Sequence, residues 1–146
     1  MMESRANISL LDLREALEAS WDAATSYGGV CEEGNPALGQ CYPTSRVVQH
    51  FYPEFEIVEG EVWTGLNTES HFWNVLIVAG SEYHIDLTWQ QFPAGSVVRG
   101  FRMRDRATLG DGPATIERCD LLRDRVERYL TAHGQRKIKL SDHESN

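Results

Sequence analysis

The chain has 146 residues, of which 41% are hydrophobic and 25% charged, and a formal net charge of −8. That length suffices for one domain with a sizeable core, because a chain of this size buries roughly 70% of its unfolded surface. The acidic balance argues against nucleic acid and anionic membranes as partners, since both are held by clustered positive charge, and no apolar run approaches membrane-spanning length.

In chain order, Ser9 followed by Asp12 has the pattern of an acidic capping box, ahead of a helix over 10–21. Leu10, Leu13, Leu17 and Trp21 form its apolar stripe, and nothing in it carries chemistry. Residues 22–38, with Gly28, Gly29, Gly34 and Pro36, read as a long loop of the functional kind, expected to wall a cleft with Tyr27. Gly39-Gln40-Cys41-Tyr42-Pro43 then runs into a helix, because Thr44, Val47, Val48 and Phe51 fall at i, i+3, i+4 and i+7. Pro43 suits a first helical turn and Pro53 a stop.

A strand follows over 55–63, with Gly60 as a bulge. After a polar connection at 64–70, residues 71–78 and 83–89 form a hairpin about a turn at 79–82. Glycines and Pro93 break any pattern over 92–112, where Arg99, Arg102, Arg104 and Arg106 cluster. A last helix over 113–132 carries the stripe Cys119, Leu122, Val126 and Tyr129, with Gly134 placed as its C-cap. The sum is an α+β domain over 1–134 and a polar, disordered tail over 135–146.

Cys31, Cys41 and Cys119 are too few and too scattered for a disulfide framework, and no CxxC or HExxH pattern points to zinc. With no basic-then-apolar leader at Met1-Met2-Glu3-Ser4-Arg5, a cytoplasmic protein is expected. Cys41 stands out because a thiol at a helix start sees unpaired N–H groups and the positive end of the helix dipole, which favour thiolate. The plain alternative is a small buried hydrophobe.

A cysteine nucleophile needs a base, and the base an orienting group. His71 begins one strand of the hairpin and Asp86 lies on the other. Pairing Val78 with Tyr83 and Val75 with Asp86 puts His71, Trp73, Val75, His84, Asp86 and Thr88 on one face. In that register Asp86 is displaced from His71 by four residues, about 13 Å along the strand, so contact requires coiling or a bulge. His84 is the competing base, closer to Asp86 but near the turn. Trp73 and Trp89 either line the cleft or pack the core. The arginines at 99–106 either bind a substrate carboxylate or form a solvated basic face.

Gly39-Gln40-Cys41 followed by a helix resembles the active-site segment of transglutaminases and papain-like peptidases. His71-Phe72-Trp73-Asn74-Val75, Gly80 and Tyr83-His84-Ile85-Asp86-Leu87-Thr88 are similar to the histidine and aspartate segments of transglutaminase-like proteins. The blocks Asn35-Pro36-Ala37-Leu38-Gly39-Gln40-Cys41, Thr44-Ser45, Val47-Val48-Gln49, His71-Phe72-Trp73-Asn74 and Asp86-Leu87-Thr88 also resemble a family of small bacterial proteins, the YunG-like family, over 10–130.

The resemblance implies a papain-like or transglutaminase-like fold, an antiparallel sheet packed on the helix that starts at the cysteine. It implies Cys41 as nucleophile, His71 as base and Asp86 as orienter. Gln40, Tyr42, Trp73, Asn74 and His84 are the candidates for oxyanion and substrate binding. Tyr42 departs from the tryptophan usual after the cysteine, and Leu87 from the proline after the aspartate.

The expected activity is acyl transfer by a thiol enzyme on an amide- or ester-bearing substrate such as a peptide or protein, by hydrolysis, deamidation or transfer, with no cofactor and no metal. Two alternatives stand beside it. One is a non-catalytic module that keeps the fold to bind a protein or ligand. The other is a metal site made of Cys41, His71, His84 and Asp86.

Overall fold

The Ser9 side chain accepts the Asp12 N–H at 3.0 Å and opens the first helix, α1 (Leu10–Ser20). The computed structural model describes the backbone of residues 8–144 and the side chains of residues 8–133. After α1 come α2 (Cys41–Phe51), the strands β1 (Glu56–Trp63), β2 (Thr68–Val78), β3 (Ser81–Ile85) and β4 (Val97–Arg104), and α3 (Pro113–Glu144). The four strands form one antiparallel sheet in the order β3-β2-β1-β4. The architecture is α+β, as expected.

The main core lies among the helices. Leu13, Ala16 and Leu17 of α1 pack with Val47, Val48 and Phe51 of α2 and Leu122 and Val126 of α3. Trp21 does not extend α1 but caps it, and its indole N–H donates to Thr44 Oγ1 at 3.0 Å, pinning α1 to the cysteine-bearing helix. A smaller cluster, Val58, Trp73 and Val75, covers one face of the sheet.

The last helix does not stop at Gly134 but runs through it to Glu144. A glycine inside a helix costs only about 1 kcal/mol relative to alanine, too little to end a helix unaided. Residues 145–146 and the side chains beyond His133 lie outside the described residues, and most of the expected disordered tail falls there.

Three corrections concern the sheet. The unassigned stretch 92–112 contains β4, which pairs with β1 from Ile57↔Arg104 to Trp63↔Val97. Its arginines are committed to β1: Arg102 and Arg104 donate to Glu59 Oε1 at 3.1 and 2.8 Å, Arg106 pairs with Glu56, and Arg99 lies over the Trp63 ring. Three of them are thus already paired with carboxylates, as in a solvated basic face.

The irregularity is not at Gly60: the β1–β4 register shifts between Glu61 and Val62, where Arg99 of β4 is the extra residue. Gly60 is needed for close approach: a Cβ there would lie 2.7 Å from Trp73 Cζ3 and 2.9 Å from the Gly100 carbonyl oxygen.

The hairpin register is Val78↔Ser81, Val75↔His84 and Asn74↔Ile85. Its loop is the two residues Ala79 and Gly80, both at positive φ (51° and 83°), a primed turn that suits strand twist. The expected loop was two residues longer. A shift of two preserves which face each side chain occupies, but it brings Asp86 two residues nearer to His71. Diagonal neighbours on one face of a sheet are roughly 7–8 Å apart, within reach of long side chains.

Candidate active site

The loop ahead of Cys41 is tied down on both sides. Gly39 has φ 79°, and a Cβ there would collide with the Ser26 hydroxyl, while its carbonyl accepts the Tyr27 N–H at 2.9 Å. Gln40 is buried: its Oε1 accepts from Thr25 Oγ1 at 2.9 Å and its Nε2 donates to the Asp22 carbonyl at 2.9 Å. This corrects the expectation for Gln40, whose side chain does not line the cavity at Cys41. It fixes the loop that delivers the cysteine.

Gln40 occupies the N-cap position of α2 without a side-chain cap bond, and the first helical bond runs from the Thr44 N–H to the Gln40 carbonyl. Cys41 therefore sits where a helix dipole and uncapped N–H groups face outward. Its thiol is free and half-buried. It opens onto a cavity of about 480 Å³ whose walls include Tyr27, Leu38, Tyr42, Phe72 and Gln91. Tyr27 and Leu38 come from the long loop, as expected of it.

His71 is wholly buried. Its Nε2 lies 2.6 Å from Asp86 Oδ2. Asp86 is held in turn, its Oδ1 accepting from the Thr88 N–H at 3.2 Å and from Thr88 Oγ1 at 3.4 Å. This turn ends β3 at Ile85, short of the expected strand to Trp89, and leads into a short 3-10 turn, Trp89–Gln91. The imidazole is boxed by Trp73, Trp89 and Phe92 at ring separations of 5.5, 6.1 and 4.7 Å.

With Nε2 engaged, Nδ1 is the ring nitrogen left for Cys41. It is buried and has no hydrogen-bond partner, and the Cys41 sulfur is near enough to help raise the ring's pKa. Burial pushes the His71 pKa down. The hydrogen bond to Asp86 and the nearby Cys41 sulfur, with the charges of both, overcome it and raise the ring to about 9. At neutral pH His71 is an imidazolium between a carboxylate and a sulfur.

The remaining candidates separate by position. Tyr42 lines the cavity; its hydroxyl donates to Asp111, which also accepts from Arg46 Nε at 3.0 Å, and its ring packs edge-on to Phe72 at 4.8 Å. Burial, the Asp111 hydrogen bond and its charge raise the Tyr42 pKa, so the phenol stays protonated.

His84 does not pair with Asp86. Its Nδ1 accepts the Trp73 indole N–H at 2.9 Å and its Nε2 faces Glu82 at 3.1 Å. Trp73 packs on His71 and does not reach the Cys41 cavity. Asn74 also lies elsewhere: buried, it donates to the Ser45 carbonyl at 3.0 Å and towards the Glu56 carbonyl at 3.4 Å, stitching α2 to the sheet. Among the described residues no group of three or more His, Cys, Asp or Glu side chains could hold a metal ion.

Sequence reasoning missed Thr88, Phe92, Gln91 and Asp111. Thr88 was readable as a partner for an aspartate two residues earlier. The others are placed partly by contacts distant in sequence, such as Asn35 Nδ2 donating to the Gln91 carbonyl at 3.0 Å.

The profile of the YunG protein family matches residues 9–131, and the chain belongs to that family. Neither the curated proteins nor the solved structures compared with it gave a match.

Proposed function

We propose that this member of the YunG family is a thiol enzyme of acyl transfer, acting on an amide or ester carbonyl of a substrate such as a peptide. The observation that carries the reading is the buried imidazole of His71, held by Asp86 at 2.6 Å with its Nδ1 unpaired, together with a free, half-buried cysteine at a helix start whose sulfur helps raise the ring's pKa. A cysteine-started helix packed on antiparallel strands that bear the histidine and the aspartate is also what supports a papain-like or transglutaminase-like placement. A reducing compartment, the cytoplasm, is the setting in which the free thiol would persist.

The sulfur attacks the carbonyl carbon as thiolate, and the carbonyl electron pair moves to oxygen. The Cys41 N–H at the start of α2 would donate to that oxyanion, and Gln91, which lines the cavity and whose Nε2 donates to the Thr88 carbonyl at 3.1 Å, is the nearest candidate for a second donor through its other amide N–H. As the carbonyl re-forms, the bond to the leaving nitrogen or oxygen breaks and that atom takes the proton from His71. Water, or an amine in a transfer reaction, then gives its proton to the neutral ring and attacks the thioester. The C–S bond breaks and sulfur leaves as thiolate beside the imidazolium.

Alkylation of Cys41 by iodoacetamide, followed from about pH 5 to about pH 11 so as to pass through the ring's value of about 9, tests the pair. The expected result is a rate near neutral pH that falls at least about tenfold in His71→Ala. Equal rates in the two proteins would overturn the reading and leave a binding module that keeps the fold.

A further inference from the structure

Tyr27, Tyr42 and Phe72 line two neighbouring cavities. One is the Cys41 cavity. The other, of about 240 Å³, is also lined by Leu109, Gly110 and Asp111 ahead of α3 and by Thr115 and Arg118 in its first turns. Arg104 also lines it, but that guanidinium is already paired with Glu59. Asp111 is likewise occupied, by the Tyr42 hydroxyl and Arg46.

Arg118 is different. Its Nη2 donates to Thr115 Oγ1 at 3.0 Å and its guanidinium rests over the Tyr27 ring at 5.3 Å. Its Nε is buried with no hydrogen-bond partner, and among the described residues no carboxylate lies within ion-pair distance of it. A buried guanidinium N–H without an acceptor is costly, and a planar anion is the group that satisfies it best. The start of α3 points the same way, since a helix N-terminus favours negative charge.

We infer that the second cavity binds a carboxylate of the substrate, with Arg118 as its ligand and the rings of Tyr27, Tyr42 and Phe72, shared with the Cys41 cavity, as the apolar seat for the group that bears it. One unpaired guanidinium with the Asp111 carboxylate along the same wall suits a monoanion and disfavours a phosphate dianion. The substrate class is then an acyl compound with a carboxylate near the scissile bond, as at the C-terminal residue of a peptide. This deepens the reading of the thiol site and rests on it for its biological sense, but not for its test.

The test is calorimetric titration of the full chain carrying Cys41→Ser, which can do no thiol chemistry. The ligands are N-acetylphenylalanine, its C-terminal amide and phenyl phosphate. The carboxylate is expected to bind at least about tenfold more tightly than the amide, the worth of one charge-assisted contact. It should also bind more tightly than the phosphate. Arg118→Gln should abolish that preference and Arg118→Lys should restore part of it. Equal binding of acid and amide, tighter binding of the phosphate, or a preference that survives Arg118→Gln in a protein that still melts cooperatively would overturn the inference. An unreactive Cys41 with intact carboxylate binding would overturn only the thiol chemistry.

Discussion

At the scale of single residues, the site rests on the charge state of one ring. His71 is fully buried, and burial alone would keep it neutral. Asp86 and Cys41 reverse that and raise its pKa to about 9. Because the folded value lies above the unfolded one of about 6.5, the ring binds its proton more tightly in the folded state. Its contribution to stability is full below pH ~6.5 and is lost as pH rises through about 9. Asp86→Asn removes the carboxylate and leaves the cation buried, at a cost on the order of 3 kcal/mol. Urea unfolding of both proteins should show the largest difference in the acid part of the window and a shrinking one towards alkaline pH. A difference independent of pH would mean that Asp86 acts through packing alone.

The residue types at the site were legible because each carries its own local signal: a cysteine before a helical apolar stripe, and a histidine and an aspartate on hairpin strands. Gln40 was misread at the same scale. Adjacency in sequence says nothing of direction, and the side chain next to Cys41 turns into the protein, towards Thr25 and Asp22.

At the scale of elements, the hairpin was legible and its register was not. Gly80 announces a turn, but nothing local says that Ala79 takes a positive φ beside it, and that choice moves Asp86 by two positions. β4 was hidden for a different reason. Gly95 and Gly100 interrupt its pattern, and the carboxylates that neutralise its arginines belong to β1, more than forty residues earlier. Gly60 joins this sheet to the site, because it makes room for the Trp73 indole, which packs against His71. Gly60→Ala should therefore cost about 1–3 kcal/mol by overpacking and also slow alkylation of Cys41, although it touches neither reacting group. Adding Trp73→Phe to the same chain should recover most of the loss in thermal melts. No recovery would place the strain in the β1–β4 backbone, where Gly100 is the other near neighbour.

At the scale of the whole molecule, Cys41, His71 and Asp86 come from three separate stretches, and the frame that joins them is made of buried polar groups. Trp21 ties α1 to α2, Arg125 donates to the Ser20 carbonyl at 3.0 Å to tie α3 to α1, and Asn74 ties the sheet to α2. Such ties are invisible in a single sequence, since each joins residues 23 to 105 positions apart through a side-chain donor with no periodic pattern. Asn74 is the decisive case, because its place after His71-Phe72-Trp73 suggests substrate binding while its contacts are all with backbone carbonyls. Asn74→Ala leaves the buried Ser45 carbonyl without that donor, at a cost of about 1–3 kcal/mol. Amide exchange should quicken in α2 and at the β1–β2 pair, with α1 less affected. A substrate-binding residue would behave in the opposite way, weakening ligand affinity at the Cys41 cavity while exchange in α2 stayed as in the parent protein. Since the cysteine stands at one end of α2 and the histidine on β2, loosening the tie between these two elements should also slow alkylation of Cys41, in proportion to the stability lost.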